Sequence, residues 1–187
     1  MHELIFIINS LFALVVGAFL VRLLLQLMRT DPRNPLAQAV VRLTNPVVLP
    51  LRRVLPAVGR IDTASVVAVL VAQMLKTSLV LLLGGFGAPS LAPLAVFAAV
   101  DLLDTTLLLL LAAIFVYVLL SWVAPGGYSP AARLLEEVVT PLLRPFRRAL
   151  PVFGGLDLSP LVAILLLSVL RMVLNDRIAP LLQSLVG

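Results

Sequence analysis

Four stretches of this chain are apolar for longer than a helix in water can conceal. A run of roughly 18 apolar residues is enough for an α-helix to cross a hydrocarbon core of about 30 Å, and such runs cover about residues 4–28, 64–83, 102–124 and 158–175. With no water available to the backbone, a spanning segment must satisfy its own hydrogen bonds as a helix or join a closed barrel. The runs are continuously apolar and do not alternate with period two, which selects helices. Composition agrees: 61% of residues are hydrophobic and 12% charged, against about 45–50% and 25% in soluble domains. The expected fold class is an all-α membrane protein with four transmembrane helices. The first run follows His2 and Glu3 and not a basic stretch. It exceeds a signal-peptide core in length and leads to no small-residue cleavage site, so it is expected to be a retained helix.

Charge sets the expected orientation. Arg29, Arg33, Arg42, Arg52, Arg53 and Arg60 separate the first two runs, and Arg133, Arg144, Arg147 and Arg148 separate the last two. The connection between the second and third runs, Gly84 to Val100, has no basic residue. The positive-inside rule therefore places both basic connections in the cytoplasm and the termini outside. Arg171, Asp176 and Arg177 run against this pattern near the outer end of the last run, where Arg171 can snorkel. The net charge of +5 thus points to an anionic membrane face and not to nucleic acid, for which no recognition module is present.

The strongest internal signal is a repeat. Shifted by 95 positions, residues 45–62 (NPVVLPLRRVLPAVGRID) align without a gap on residues 140–157 (TPLLRPFRRALPVFGGLD), and Asn34-Pro35 meets Ser129-Pro130. Two units follow, residues 1–92 and 93–187, each with two spans around a proline-rich basic segment. Because each unit crosses twice, the copies are parallel and related by a pseudo-twofold axis along the membrane normal. Packing of the two units is expected to give a compact four-helix bundle.

Within each connection, Asn34 or Ser129 supplies an N-cap and Pro35 or Pro130 a first helical residue. The short helix is expected to end near Thr44 or Val139, and Pro46 or Pro141 then to break it into an interface-lying hairpin. Val47, Val48, Leu49, Leu51, Val54 and Leu55, with Leu142, Leu143, Phe146 and Leu150 in the second copy, would enter the acyl boundary. Arg52, Arg53, Arg147 and Arg148 would then reach lipid phosphate, at about 1 kcal/mol each near an anionic surface. The plainer reading of the same arginines is that they only set topology.

Gly59, Asp62, Gly154 and Asp157 mark the junction between each hairpin and the following helix. The aspartates either cap those helices or pair with the nearby arginines. Lys76 and Arg171 occupy matching positions inside the second helix of each unit, where charge needs a partner. The repeat register puts Asp104 opposite Asn9, so the expected contacts are Lys76 with Asp104 and Arg171 with Asn9.

Several chemistries are excluded or left without means. No cysteine is present, and the only histidine is His2, which removes thiolate chemistry, disulfides and histidine-based metal binding. There is no phosphate loop and no nucleophile–base arrangement. No enzyme activity and no cofactor are expected. The partners suggested are anionic phospholipid, another membrane protein, or a second copy of the chain. The alternative function is an ion or solute conduit using Lys76, Asp104 and Arg171, although nothing at mid-membrane resembles a selectivity filter or a broken transporter helix.

The paired Pro-x-Arg-Arg-x-Leu-Pro and Gly-x-x-Asp signatures, each leading into an apolar helix, resemble the YggT family, which includes the YlmG-type proteins. The resemblance extends over nearly the whole chain. Asp157-Leu158-Ser159-Pro160 matches the family's Asp-x-Ser-Pro ending, whereas the first copy has Asp62-Thr63-Ala64-Ser65. Ser121-Trp122 likewise matches the end of the unit's first helix, where the first copy has Gln26-Leu27. The resemblance implies a bacterial inner-membrane protein without assigned catalytic residues. Its relatives are linked to osmotic-stress tolerance, cell division or membrane organisation, and to cytochrome-complex assembly in plastids. It favours a non-enzymatic scaffold or assembly factor.

Overall fold

The computed structural model describes residues 2–56, 62–85, 87, 90–123, 129–149, 157–178 and 180. Among them the chain is all helical: α1 (His2–Met28), α2 (Pro35–Arg52), α3 (Thr63–Leu83), α4 (Leu91–Val123), α5 (Pro130–Ala149) and α6 (Ser159–Val173), followed by a π-helical turn, Leu174–Ile178. Helices α1, α3 and α4 are long and apolar enough to cross a membrane. α6 has 15 α-helical residues, a rise of roughly 22 Å, and reaches the length expected of the fourth run only together with the π turn.

The helix ends follow from local chemistry. Arg29 ends α1 in the left-handed region at φ 55°. The Arg29 N–H donates to Gln26 O and the Thr30 N–H to Leu25 O, a Schellman arrangement with arginine where glycine is usual. Asn34 caps α2 by accepting from the Leu36 N–H at 2.9 Å, and the Ser129 hydroxyl accepts from Ala132 N–H at 3.0 Å. α4 begins at Leu91, well before the expected Leu102. Pro93 sits in its first turn, where a missing donor is harmless, so part of the expected Gly84–Val100 connection is helix.

The expected hairpin is not formed. α2 continues through Pro46 and Pro50, and α5 through Pro141 and Pro145. Each pair is spaced four residues apart, so the lost hydrogen bonds fall on one side of the helix. Pro46, Pro50 and Pro145 are exposed, so the proline side of each helix is turned away from the core. Both helices are strongly amphipathic, and burial of the opposite face holds the helix across the prolines.

That buried face corrects a second expectation. Val48 and Leu143 are fully enclosed by protein and do not enter an acyl boundary. Val48 packs with Val16, Phe19 and Leu20 of α1 and Ala64, Ala68, Val69 and Ala72 of α3. Leu143 packs with Ile114 of α4, Val139 of α5 and Ala163 of α6. α2 therefore lies across the end of α1 and the start of α3, and α5 across the end of α4 and the start of α6. Alanines at every fourth position of α3 let it approach α1 closely. Leu25, Ala37 and Val138 form a third cluster that joins α1, α2 and α5.

The helices do not close into the expected compact bundle. α1 packs on α3, α3 on α4, and α4 on α6, while among the described residues α6 touches neither α1 nor α3. α3 and α4 are thus the inner helices of an open row, in which α1 also touches α4, and α2 and α5 meet each other.

Candidate functional site

At the end of the row where α2 and α5 lie, each helix is tied to the helix that follows it. Arg52, at the end of α2, donates from Nη2 to Asp62 Oδ2 at 2.6 Å and from Nε to both carboxylate oxygens at 3.2 Å. Ser65 Oγ donates to the same Oδ2 at 2.6 Å and Gln26 Nε2 at 3.3 Å. Asp62 is only 7% exposed. Burial alone would raise its pKa, but the Arg52 guanidinium, the Ser65 hydroxyl and the Gln26 amide overcome that and hold it at about 2. The Arg52 guanidinium is held charged by the same bond.

The second unit repeats the tie with different detail. Arg147 Nε donates to Asp157 Oδ2 at 2.9 Å, and the Ser159 N–H to Asp157 Oδ1 at 2.9 Å. Arg147 also reaches the Tyr117 hydroxyl at 3.4 Å. Burial raises the pKa of Asp157, yet the donors from Ser159 and Arg147 bring it below its ordinary value. Asp157 thus combines the latch with a bond to the first backbone N–H of α6, whose N-cap is Leu158, whereas Asp62 occupies the N-cap position of α3 without a side-chain capping bond. The departure of the first copy from Asp-x-Ser-Pro has a local explanation, because Ser65, three residues on from Asp62, supplies the donor through its hydroxyl. Gly59 and Gly154 lie outside the described residues.

The arginine pairs are therefore divided. Arg52 and Arg147 are engaged in latches, while Arg53, Arg144 and Arg148 are exposed and make no ion pair among the described residues. The two basic helices also bind each other's surroundings. Asp31 pairs with Arg133 at 3.2 Å, its N–H donates to Glu137 Oε2 at 2.8 Å, and Asn34 Nδ2 donates to Pro130 O at 2.8 Å.

The expected charge pairs within the helices are replaced by others. Lys76 lies 3.5 Å from Asp101, not Asp104, and Gln73 Nε2 donates to Asp101 at 3.0 Å. Arg171 binds Asp104 at 2.7 and 3.0 Å, not Asn9, and Asn175 Nδ2 adds a bond of 2.6 Å. Asn9 makes no side-chain hydrogen bond among the described residues. The cause is the open row: α4 touches both α3 and α6 and carries two acids less than one turn apart. One therefore meets Lys76 and the other Arg171. Asp101 escaped sequence reasoning because the connection was drawn to Val100 and the third span from Leu102, so Asp101 fell in neither.

Arg22, a single charge inside the first apolar run, is a further site residue for which the sequence raised no expectation. It is 1% exposed. Its Nη1 donates to Thr44 Oγ1 at 2.6 Å, Asn45 Oδ1 at 3.0 Å and Val41 O at 3.3 Å. An arginine within an apolar run was the available signal. No cluster of three or more His, Asp or Glu able to hold a metal occurs among the described residues.

Comparison with known proteins gives the arrangement a family. The CCB3/YggT family model matches residues 1–83 and again residues 96–178, two matches that start 95 residues apart. An uncharacterized protein of Pseudomonas aeruginosa is 40% identical over 176 residues, 94% of this chain and 89% of its own. YggT of Escherichia coli K12, also uncharacterized, is 36% identical over 173 residues, 92% of this chain and 89% of its own. An uncharacterized protein of Vibrio alginolyticus is 35% identical over 181 residues, covering 96% and 97% of the two chains. No solved structure matches. With its apolar helices and this similarity along nearly its whole length, the chain is a membrane protein of the CCB3/YggT family.

Proposed function

We propose that the protein is a non-enzymatic scaffold or assembly factor of the bacterial cytoplasmic membrane, whose latched amphipathic helices α2 and α5 present arginine to anionic lipid or to an acidic face of a partner. In this reading α6 and its π turn complete a fourth span, the two units are parallel repeats, and α2 and α5 lie on the cytoplasmic side. The observation that carries it is the division of labour within each Arg-Arg pair. One arginine fastens the amphipathic helix through Asp62 or Asp157, and its neighbour, Arg53 or Arg148, is left exposed at the same end of the molecule. Setting topology requires positive charge in a connection but no such fastening. The ion pairs of Lys76 and Arg171 along α4 give a conduit less support, since each cation already has a carboxylate partner.

The test is extraction of the protein into native nanodiscs, with the co-extracted lipid quantified. Wild type is expected to enrich phosphatidylglycerol over its share of the membrane. Arg53→Gln with Arg148→Gln should lose that enrichment while melting as wild type does. Equal enrichment by wild type and this variant would remove the surface-recognition reading and leave the exposed arginines as topology determinants.

A further inference from the structure

Against α1 and α2 lies a cavity of about 570 Å³ whose lining includes Arg22, Gln26, Arg29, Gln38 and Arg42. Its volume is in the range of ligand sites, about 300–1,000 Å³. Three arginines are among its lining residues and no aspartate or glutamate is. We infer that this cavity binds a phosphate group, free or carried by a lipid headgroup.

Arg22 supplies the chemical reason. Its acceptors, Val41 O, Thr44 Oγ1 and Asn45 Oδ1, are all neutral, and it forms no ion pair among the described residues. The nearby carboxylate of Asp62 is committed to Arg52, and Asp31, beside the cavity residue Pro32, is committed to Arg133. Arg22 Nε is buried without any partner. A buried arginine with neither an anion nor a full set of acceptors is costly, and an anion beside it offsets both deficits. Gln26 Oε1 is also buried and unpartnered, its amide nitrogen being turned to Asp62. That oxygen calls for a hydroxyl donor next to the phosphate, which a glycerol headgroup or a protonated phosphate oxygen provides.

Arg29 and Arg42 are exposed and are placed to meet the anion first. Arg29 belongs to the cavity wall from a left-handed backbone conformation, φ 55°, that glycine would adopt without penalty. The second unit does not repeat the set: 95 positions on from Arg22, Gln26, Arg29, Gln38 and Arg42 stand Tyr117, Ser121, Ala124, Arg133 and Glu137, and Arg133 is already paired with Asp31. Both units keep the latch, and only the first keeps the cavity arginines. The site is therefore separate from the surface arginines of the scaffold reading and does not depend on it.

The experiment uses the full-length chain in detergent. Native mass spectrometry measures lipid retained from an equal mixture of phosphatidylglycerol and phosphatidylcholine, and thermal melts measure stabilisation by inorganic phosphate. The cavity variant is Arg29→Gln with Arg42→Gln, both exposed and outside the core, and the comparator is Arg177→Gln, an exposed arginine in the π turn after α6, outside both the cavity and the Arg-Arg pairs. If the occupant is lipid, wild type retains phosphatidylglycerol preferentially, the cavity variant loses about tenfold of that retention, and the comparator changes less than about twofold. If the occupant is free phosphate, inorganic phosphate raises the melting midpoint of wild type and of the comparator but not of the cavity variant. A cavity variant that matches wild type in both assays, or a comparator that loses as much as the cavity variant, overturns the site.

Discussion

Asp62 and Asp157 show how little separates a cap from a latch. Both are aspartates just before an apolar helix, and residue type permitted either role. The choice depends on Arg52 and Arg147, which α2 and α5 bring to the same place. Arg52→Gln should destabilise the protein by about 1–3 kcal/mol, because it strands a nearly buried carboxylate, whereas Arg53→Gln should have no measurable effect on thermal melts. The pH dependence has a defined sign. Asp62 folds with its carboxyl at about 2, below the ordinary 3.8. The folded state therefore binds fewer protons, and the contribution is complete above about pH 4 and lost as pH falls toward about 2. Melting midpoints should hold from pH 7 to about 4.5 and fall below it, and Asp62→Asn should flatten that fall. At the ion pairs along α4, Lys76→Asp should be rescued by Asp101→Lys and not by Asp104→Lys, read as the yield of folded protein after detergent extraction.

At the scale of the element, proline was a misleading stop signal. Four internal prolines suggested broken segments, and the structure has two helices that run through them. Spacing by four confined the lost bonds to one face, and burial of Val48 or Leu143 on the other outweighed the local cost. Helix starts at Asn34 and Ser129 were legible because capping is a local interaction. The early start of α4 was less so, since its first turns are separated from the apolar run only by Asp101 and Asp104. The α1–α3 contact depends on small side chains. Ala68→Leu should overpack it at a cost of about 1–3 kcal/mol, as should Ala163→Leu between α4 and α6, while Leu165→Ala at an exposed position should change the melting midpoint little.

For the whole molecule, the open row of α1, α3, α4 and α6 breaks the symmetry that the repeat implies. α4 serves both units, supplying Asp101 to Lys76 and Asp104 to Arg171. No residue of α1 plays the corresponding part for α6. The proposed orientation is open to direct measurement, because the chain has no cysteine. A single cysteine at Arg53→Cys or Arg148→Cys should react with an impermeant maleimide only after the cytoplasmic face is opened, and Gly87→Cys should react in intact spheroplasts. Labelling of the two basic positions from opposite faces would break the parallel-repeat topology.

Long apolar runs and their flanking arginines determined by themselves that the chain is helical and suited to lipid, and the self-alignment at 95 positions foretold that the family model would match twice. These are properties of residues with their solvent or with near neighbours. Tertiary structure decided which arginine of each pair is fastened, which acid meets which cation, that prolines are carried within helices, and that Arg22 stands buried with no carboxylate partner among the described residues. Each of these depends on which helix faces are brought together across long separations in the chain, and a pattern repeated in both units cannot specify contacts that the packing makes in only one.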